Sequence, residues 1–549
     1  MMFDIPEFGF RSRRSPVLGR EGMIAASQPL AVAAGLQILI QGGNAADAAV
    51  AVAAVLNVTE PTSTGIGGDC FALYYEAASG KVYALNGSGR APAKLTLERL
   101  TRQGFVEEWP ANHPDTITVP GACAAWCDLV ERFGALTMAD ILAPAIRLAE
   151  EGFPVAPLTA YYWRKGVEKQ LKHAPGGLEL TIEGRAPRPG EIFRNPGLGR
   201  TFRKVAEGGR EAFYQGEIAQ AIAAVVQGAG GCMTEADLAA HHSTWEQPIS
   251  ARYRGLRVWE CPPNGQGLVT LLALNILEGF DLQSLAPLSV ERLHLEIEAL
   301  RLAFADAGWF VADPAFNPQP LEWLLSSEYA AERRRLIDRQ RATLYQQPGT
   351  PPAGSDTVYF CVVDNQGNAC SFINSNYIMF GTGIVPSGWG FSLQNRGHNF
   401  NLNPKHPNAL APGKRPYHTI IPGLITLDND TPDTFDLYAT FGVMGGFMQP
   451  QGHLQVVIAL ADDGLDPQSV LDQLRFCITD GMPGGIVALE EGIPKKVAKR
   501  LVSMGHTVEV VTGYPRSLFG RGQIILRDPT SGVLWGASDP RADGCAMGF

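Results

Sequence analysis

Small apolar residues crowd positions 22–58, and their punctuation predicts helix. Ser27-Gln28-Pro29 places proline in a first turn, Gly42-Gly43 ends that helix, and Asn44 caps a second over 45–56. Such small side chains predict close packing against a sheet or another helix. After the loop Glu60-Pro61-Thr62-Ser63-Thr64-Gly65-Ile66-Gly67-Gly68-Asp69, residues 70–75 read as a strand and 82–86 as its partner. Residues 114–245 are mostly helical in pattern, with amphipathic segments at 138–151 and 214–226. Residues 250–260 read as a strand. The loop Cys261-Pro262-Pro263-Asn264-Gly265-Gln266-Gly267 feeds a helix over 268–277, and a longer one follows over 289–307. Glu296, Glu298, Arg301 and Asp306 lie along that last helix and read as a solvated face or as bridges to neighbours.

The pattern then breaks. Gln346-Gln347-Pro348-Gly349-Thr350-Pro351-Pro352-Ala353-Gly354 is a run of turn formers that predicts an exposed, flexible loop. Beyond it, 359–363 is β-branched and aromatic, Asp364-Asn365-Gln366-Gly367-Asn368 has the composition of a tight turn, and 369–373 returns as the second arm of a hairpin. Thr357 thus stands where a loop enters a core strand, a place that strand propensity alone explains.

The 549 residues suffice for a large core, in two to four domains or one multilayer unit. A net charge of −10 argues against general binding to nucleic acid or anionic membranes, which would favour a basic face. The first residues are acidic and interrupted by Pro6 where a secretory signal would be basic and then continuously apolar, so the chain reads as cytoplasmic. Its apolar stretches end too early to span a bilayer. The nine cysteines are scattered, apart from Cys123 and Cys127, and read as buried free thiols; no metal-ligand spacing appears. The loop around Gly65 and Gly67-Gly68 precedes a strand and lacks the Lys-Ser/Thr of a phosphate loop, which argues against a nucleotide site.

Several motifs occur in one order: Gly-Gly-Asn-Ala at 42–45, Gly-Ile-Gly-Gly-Asp at 65–69, Asp356-Thr357 with Val362-Val363-Asp364 and Gly367-Asn368, Phe380-Gly381-Thr382-Gly383-Ile384, Gly442-Val443-Met444-Gly445-Gly446, and the closing Ala537-Ser538-Asp539-Pro540. Together they resemble the γ-glutamyltranspeptidase family of N-terminal nucleophile hydrolases, from about Gly22 to the last residue. The resemblance implies a mixed α/β fold, a four-layer αββα sandwich, and self-cleavage into a large subunit of residues 1–356 and a small subunit of 357–549. Thr357 would be the nucleophile. An N-terminal threonine suits that role because its own α-amine, titrating near ~8, can serve as base.

The resemblance also implies site roles. Ser375 would hydrogen-bond the Thr357 hydroxyl, and Gly445 and Gly446 would turn backbone N–H groups toward an oxyanion. Arg90, Asn399, His418 and Thr419 fall at or near places that hold the amino-acid end of a γ-glutamyl group. Three of them depart from pattern: Arg90 is displaced with Ser88 in its usual place, Asn399 stands for an acid, and His418 stands for a serine. His418 is equally readable as a ligand contact or a satisfied core histidine.

The expected activity is therefore hydrolysis of a small-molecule amide through an acyl-enzyme, with no metal or organic cofactor. γ-Glutamyl hydrolysis or transfer is the second reading, and a catalytically silent binding protein on the same fold the third. The expected partners are the substrate and the two subunits of one precursor, without nucleic acid or membrane; a homo-oligomer stays open.

Overall fold

Tyr359 to Val363 do form a core strand, Asp356–Val363, which turns at 364–368 and returns as Ala369–Tyr377. Asp364 organises the turn. Its Oδ1 accepts the N–H groups of Gln366 and Asn368, and its Oδ2 accepts the Ala45 N–H at 2.9 Å, at the start of the helix Ala45–Thr59. A carboxylate there also meets the positive end of the helix dipole. Asn44 caps the same helix, accepting from the Ala46 and Asp47 N–H groups.

The computed structural model describes residues 14–344, 356–482 and 484–549; the breaker-rich loop at 346–354 lies outside them. The hairpin sits at the centre of a seven-stranded antiparallel sheet. From edge to edge its order is Cys545–Gly548, Met23–Ala26, Asp356–Val363, Ala369–Tyr377, Asp69–Glu76, Lys81–Gly87 and Thr244–Glu246. A second sheet runs Val17–Gly19, Leu534–Ser538, Arg521–Arg527, Phe435–Met444, Gly423–Asp428, Leu256–Glu260 and Ile249–Tyr253.

Strand alternation sorts the side chains between layers. Tyr359, Cys361 and Val363 point between the sheets, where they meet Phe71, Leu73, Trp259, Leu424 and Ile525. Val358, Phe360 and Val362 point the other way, into helices that include Pro29–Ile40, Ala45–Thr59 and Ala122–Phe133. Gly267–Leu277, Val290–Phe310 and Met448–Ala461 cover the outer face of the second sheet. The result is the four-layer αββα sandwich. Phe360 stacks on its cross-strand partner Phe372 at 5.0 Å, fully buried; truncating such a phenylalanine to alanine costs about 3–5 kcal/mol.

Three expectations need correction. Met23–Ala26 is a strand rather than part of a helix, because it pairs on one side with Asp356–Val363 and on the other with the edge strand Cys545–Gly548. The segment 250–260 is a hairpin, broken at Arg254 and Gly255, both at positive φ. The helical segment at 214–226 begins only after a break, since one helix ends at Tyr214 and the next starts at Gly216. Of the two readings for Glu296, Glu298, Arg301 and Asp306 the structure shows the bridges: all four are buried and pair with Arg292, with each other and with Arg333. All nine cysteines are free, eight of them buried, and no helix among the described residues is long and apolar enough to cross a membrane.

Candidate active site

The hairpin register shifts at its open end. Asp356 pairs with Tyr377 and Val358 with Asn374, so Ser375 and Asn376 together face the single residue Thr357. A bulge of this kind bends the strand and re-aims its side chains. Tyr377, at its end, has φ of +78°, a conformation that costs a bulky residue on the order of 1–3 kcal/mol. The outcome is a hydroxyl pair. Thr357 Oγ1 donates to Ser375 Oγ at 3.1 Å, and both side chains are fully buried. The Tyr377 N–H donates to the same Ser375 oxygen at 2.8 Å.

Behind this pair packs the glycine-rich loop. A Cβ on Gly68 would stand 2.3 Å from the Ser375 carbonyl oxygen, so only glycine permits the approach. The loop is held in turn by Asn374, whose Nδ2 donates to the Gly65 carbonyl.

Arg396 is the node that the sequence did not single out. It is fully buried; its Nη2 donates to Ser375 Oγ at 3.3 Å and its Nη1 to Thr419 Oγ1 at 2.7 Å. The guanidinium lies over the Tyr377 ring, 4.4 Å from its centroid. Burial pushes its pKa down to about 10, while Asp69 acts in the opposite sense. Arg396 Nε has no hydrogen-bond partner among the described residues. In the sequence it sits in the polar run Leu393-Gln394-Asn395-Arg396, where nothing separates it from a surface arginine.

One amide links this cluster to the glycine turn. Gln266 Nε2 donates to the carbonyls of Thr419 at 2.5 Å and Gly446 at 2.8 Å. Gly445 and Gly446 have φ of +136° and +60°, and neither N–H has an acceptor among the described residues. A Cβ on Gly445 would press on Met448 Cβ at 3.3 Å and Gly520 Cα at 3.4 Å. Beside the turn opens a cleft of about 520 Å³. Ile378, Met379, Met444, Phe447 and Met448 line it, with Lys165 and Lys169 also in its wall.

The remaining predicted residues divide. Asn399 is buried, its Nδ2 donating to the Tyr417 carbonyl at 3.1 Å, and its side chain faces the Tyr377 hydroxyl; Oδ1 makes no hydrogen bond of good geometry. His418 is fully buried against the edge of Phe71. Its Nε2 donates to Asp69 Oδ2 at 3.1 Å, and its Nδ1 faces the Ile420 N–H at 3.5 Å. Burial, reinforced by Arg396 and Arg415, holds the imidazole well below its ordinary pKa, so the contact joins a neutral ring to a carboxyl group. That is the arrangement of a satisfied core histidine. Burial also raises Asp69 to about 7, although the Gly89 and Gly121 N–H groups favour its charged form.

Arg90 stays outside this network, half-buried, with Nη1 donating to the His242 carbonyl at 3.1 Å. Arg415 lies deeper on that side, its Nε donating to the Ser88 carbonyl at 3.1 Å.

Comparison with known proteins gives the same direction throughout. The family model described as gamma-glutamyltranspeptidase matches residues 31–549. The glutathione hydrolase-like YwrD proenzyme of Bacillus subtilis is 37% identical over 537 residues, 97% of this chain and 99% of its own. The oxamate amidohydrolase proenzyme of Klebsiella pneumoniae is 34% identical, covering 96% of this chain and 98% of its own. Among solved structures, cephalosporin acylase from Bacillus halodurans superposes with a TM-score of 0.91 at 47% identity, over 100% of this chain and 99% of that one.

Proposed function

We propose, on the premise that the chain belongs to the gamma-glutamyltranspeptidase family, that it is a self-processing amidohydrolase with Thr357 as nucleophile. The observation that carries this reading is the buried contact between Thr357 Oγ1 and Ser375 Oγ, 3.1 Å apart at the mouth of the hairpin.

In the single chain the Thr357 nitrogen belongs to a peptide bond. Its hydroxyl attacks the Asp356 carbonyl, the acyl group passes from nitrogen to oxygen, and water hydrolyses the ester. The products are a large subunit of 1–356 and a small subunit of 357–549 that begins with a free α-amine. That amine then takes the hydroxyl proton while Oγ1 attacks a substrate amide. The tetrahedral oxyanion is met by the N–H groups of Gly445 and Gly446. The α-ammonium returns the proton to the substrate nitrogen, which leaves as the free amine as its C–N bond breaks, and water, deprotonated by the same α-amine, hydrolyses the acyl-enzyme to the free acid. Ser375 positions Oγ1, and Arg396 positions Ser375 together with Thr419.

For the acyl group, the neutral Asn399 offers no charge to a substrate ammonium. The cleft beside Gly445 pairs an apolar wall with Lys165 and Lys169, which suits an acyl chain ending in a carboxylate. We therefore assign amides of dicarboxylic acids ahead of γ-glutamyl compounds. The latter remain the second reading, favoured by the relative named as glutathione hydrolase-like.

Intact-mass analysis should find a fragment beginning at Thr357, and Thr357→Ala should stop both cleavage and turnover. Thr357→Ser should retain part of each, because a primary hydroxyl can still attack. A screen of glutaryl, oxamate and γ-glutamyl amides should rank the glutaryl compound first. Full activity in an uncut chain removes Thr357 from the role; a γ-glutamyl preference transfers the assignment to glutathione-type substrates; one uncut band without turnover points to a silent binding protein.

A further inference from the structure

We propose that His294, Glu298 and His506 form a site for a zinc-type divalent metal ion, remote in role from the amidase chemistry, that ties the segment before Thr357 to the segment after it. His294 and Glu298 stand four residues apart on the helix Val290–Phe310 and so share a face. His506 arrives between the helix Lys495–Ser503 and the strand Val508–Val511. All three are buried, and one ligand atom from each lies within 4.8 Å of the others.

The hydrogen bonds around the cluster leave ligand atoms facing inward. His294 Nε2 stands 2.7 Å from the Asp338 carbonyl and therefore carries the proton there. Its Nδ1 then accepts the Nε2–H of His506, 2.8 Å away, a proton that a bound metal ion would displace so that both nitrogens face it. A metal-bound histidine characteristically gives its other N–H to a carbonyl in this manner. Glu298 Oε2 accepts the Thr343 N–H at 2.8 Å, whereas Oε1 has no hydrogen-bond partner among the described residues, and neither has His506 Nδ1. Arg301 is a competing cation: its Nε lies 3.6 Å from Glu298 Oε1, and while its Nη2 donates to the Gly485 carbonyl, Nε and Nη1 have no hydrogen-bond partner among the described residues.

Two imidazoles and one carboxylate select zinc, cobalt, nickel or copper over magnesium or calcium. Tetrahedral zinc at ~2.0–2.1 Å from each nitrogen would separate the two nitrogens by roughly 3.3 Å, so the rings need part by only about half an ångström. A water completes the fourth position.

The location gives the site its purpose. Asp338 and Thr343 are held by the ligands themselves, and the Ala342 N–H donates to the Met504 carbonyl at 2.7 Å. The cluster thus clamps the last described stretch before Asp356 onto a loop that follows Thr357. The ligand set stands whether or not the chain is cut.

The test uses the purified full chain, stripped with a chelator and titrated with cobalt(II) and zinc. The expected result is about one equivalent of zinc, the visible bands of four-coordinate cobalt, and a melting temperature that rises with metal. In His506→Gln the affinity should fall by at least about tenfold, the metal-dependent rise in melting temperature should vanish, and amidase activity should persist. Should that variant not fold, X-ray absorption of the cobalt-loaded wild type decides: two imidazole nitrogens support the site, and an oxygen-only shell overturns it. Less than a tenth of an equivalent of zinc in the wild type, or equal binding by His506→Gln, also overturns it and leaves a buried histidine pair joined by one hydrogen bond.

Discussion

Thr357 and Ser375 meet hydroxyl to hydroxyl because one strand carries a single residue where its neighbour carries two. Ser375→Ala deletes the oxygen on which the Thr357 hydroxyl, the Tyr377 N–H and one arm of Arg396 converge. Hydrogen bonds that involve a charged group contribute about 1.5–3 kcal/mol, so kcat should fall roughly ten- to a hundredfold. KM should change little, since in the proposed mechanism Ser375 acts on the nucleophile rather than the acyl group. Steady-state kinetics check this, and an unchanged kcat would detach Ser375 from the reaction.

Gly445→Ala tests the oxyanion turn. The new Cβ meets Met448 and Gly520 at 3.3 and 3.4 Å, and φ of +136° disfavours any L-residue. The turn should shift, with a loss of about 10²–10³ in kcat if its N–H meets the oxyanion. A melting-temperature loss with kcat preserved would make the turn structural only.

Asn399→Asp should favour substrates that carry an α-ammonium. The added charge offers a contact of about 1.5–3 kcal/mol, so the γ-glutamyl to glutaryl ratio of kcat/KM should rise by one to two powers of ten. An unchanged ratio would put residue 399 outside the acyl pocket.

Asp69 supplies a pH dependence. Burial raises its pKa to about 7 in the folded protein, against ~3.9 when unfolded. The folded chain therefore holds this proton more tightly. The resulting stabilisation is complete below about pH 4 and is lost as pH climbs through about 7. Asp69→Asn lacks that loss, so its melting temperature should gain on the wild type across this interval. Parallel curves in paired thermal melts would show that Asp69 ionises as freely folded as unfolded.

Local signals made the hairpin and the helices around it readable. Tyr359 to Val363 carry strand propensity, Gly367 marks the turn, and Asn44 caps its helix, each within a few residues. Met23–Ala26 could not be read, because four consecutive apolar residues carry no period and their strand character comes from neighbours far along the chain. The charges of Val290–Phe310 could be read as bridges to neighbours but their partners could not, since Asp463 and Arg333, which pair with Arg292 and Asp306, lie elsewhere in the chain. In the candidate site Thr357 and Ser375 could be placed from motif order. Arg396 and Gln266 could not, since their importance lies in joining segments that only the folded chain brings together.

The place of Met23–Ala26 between two strands that follow Thr357 in the chain or contain it bears on what a cut before Thr357 would do. This strand is held on one side by Asp356–Val363 and on the other by Cys545–Gly548. The two products would be woven through one sheet, each supplying strands that the other needs. Dilution alone would not part them, since withdrawing either piece tears the middle of the sheet and exposes its core. A nicked molecule of this kind would behave as a single body with one additional pair of chain ends, and its subunits would come apart only by unfolding.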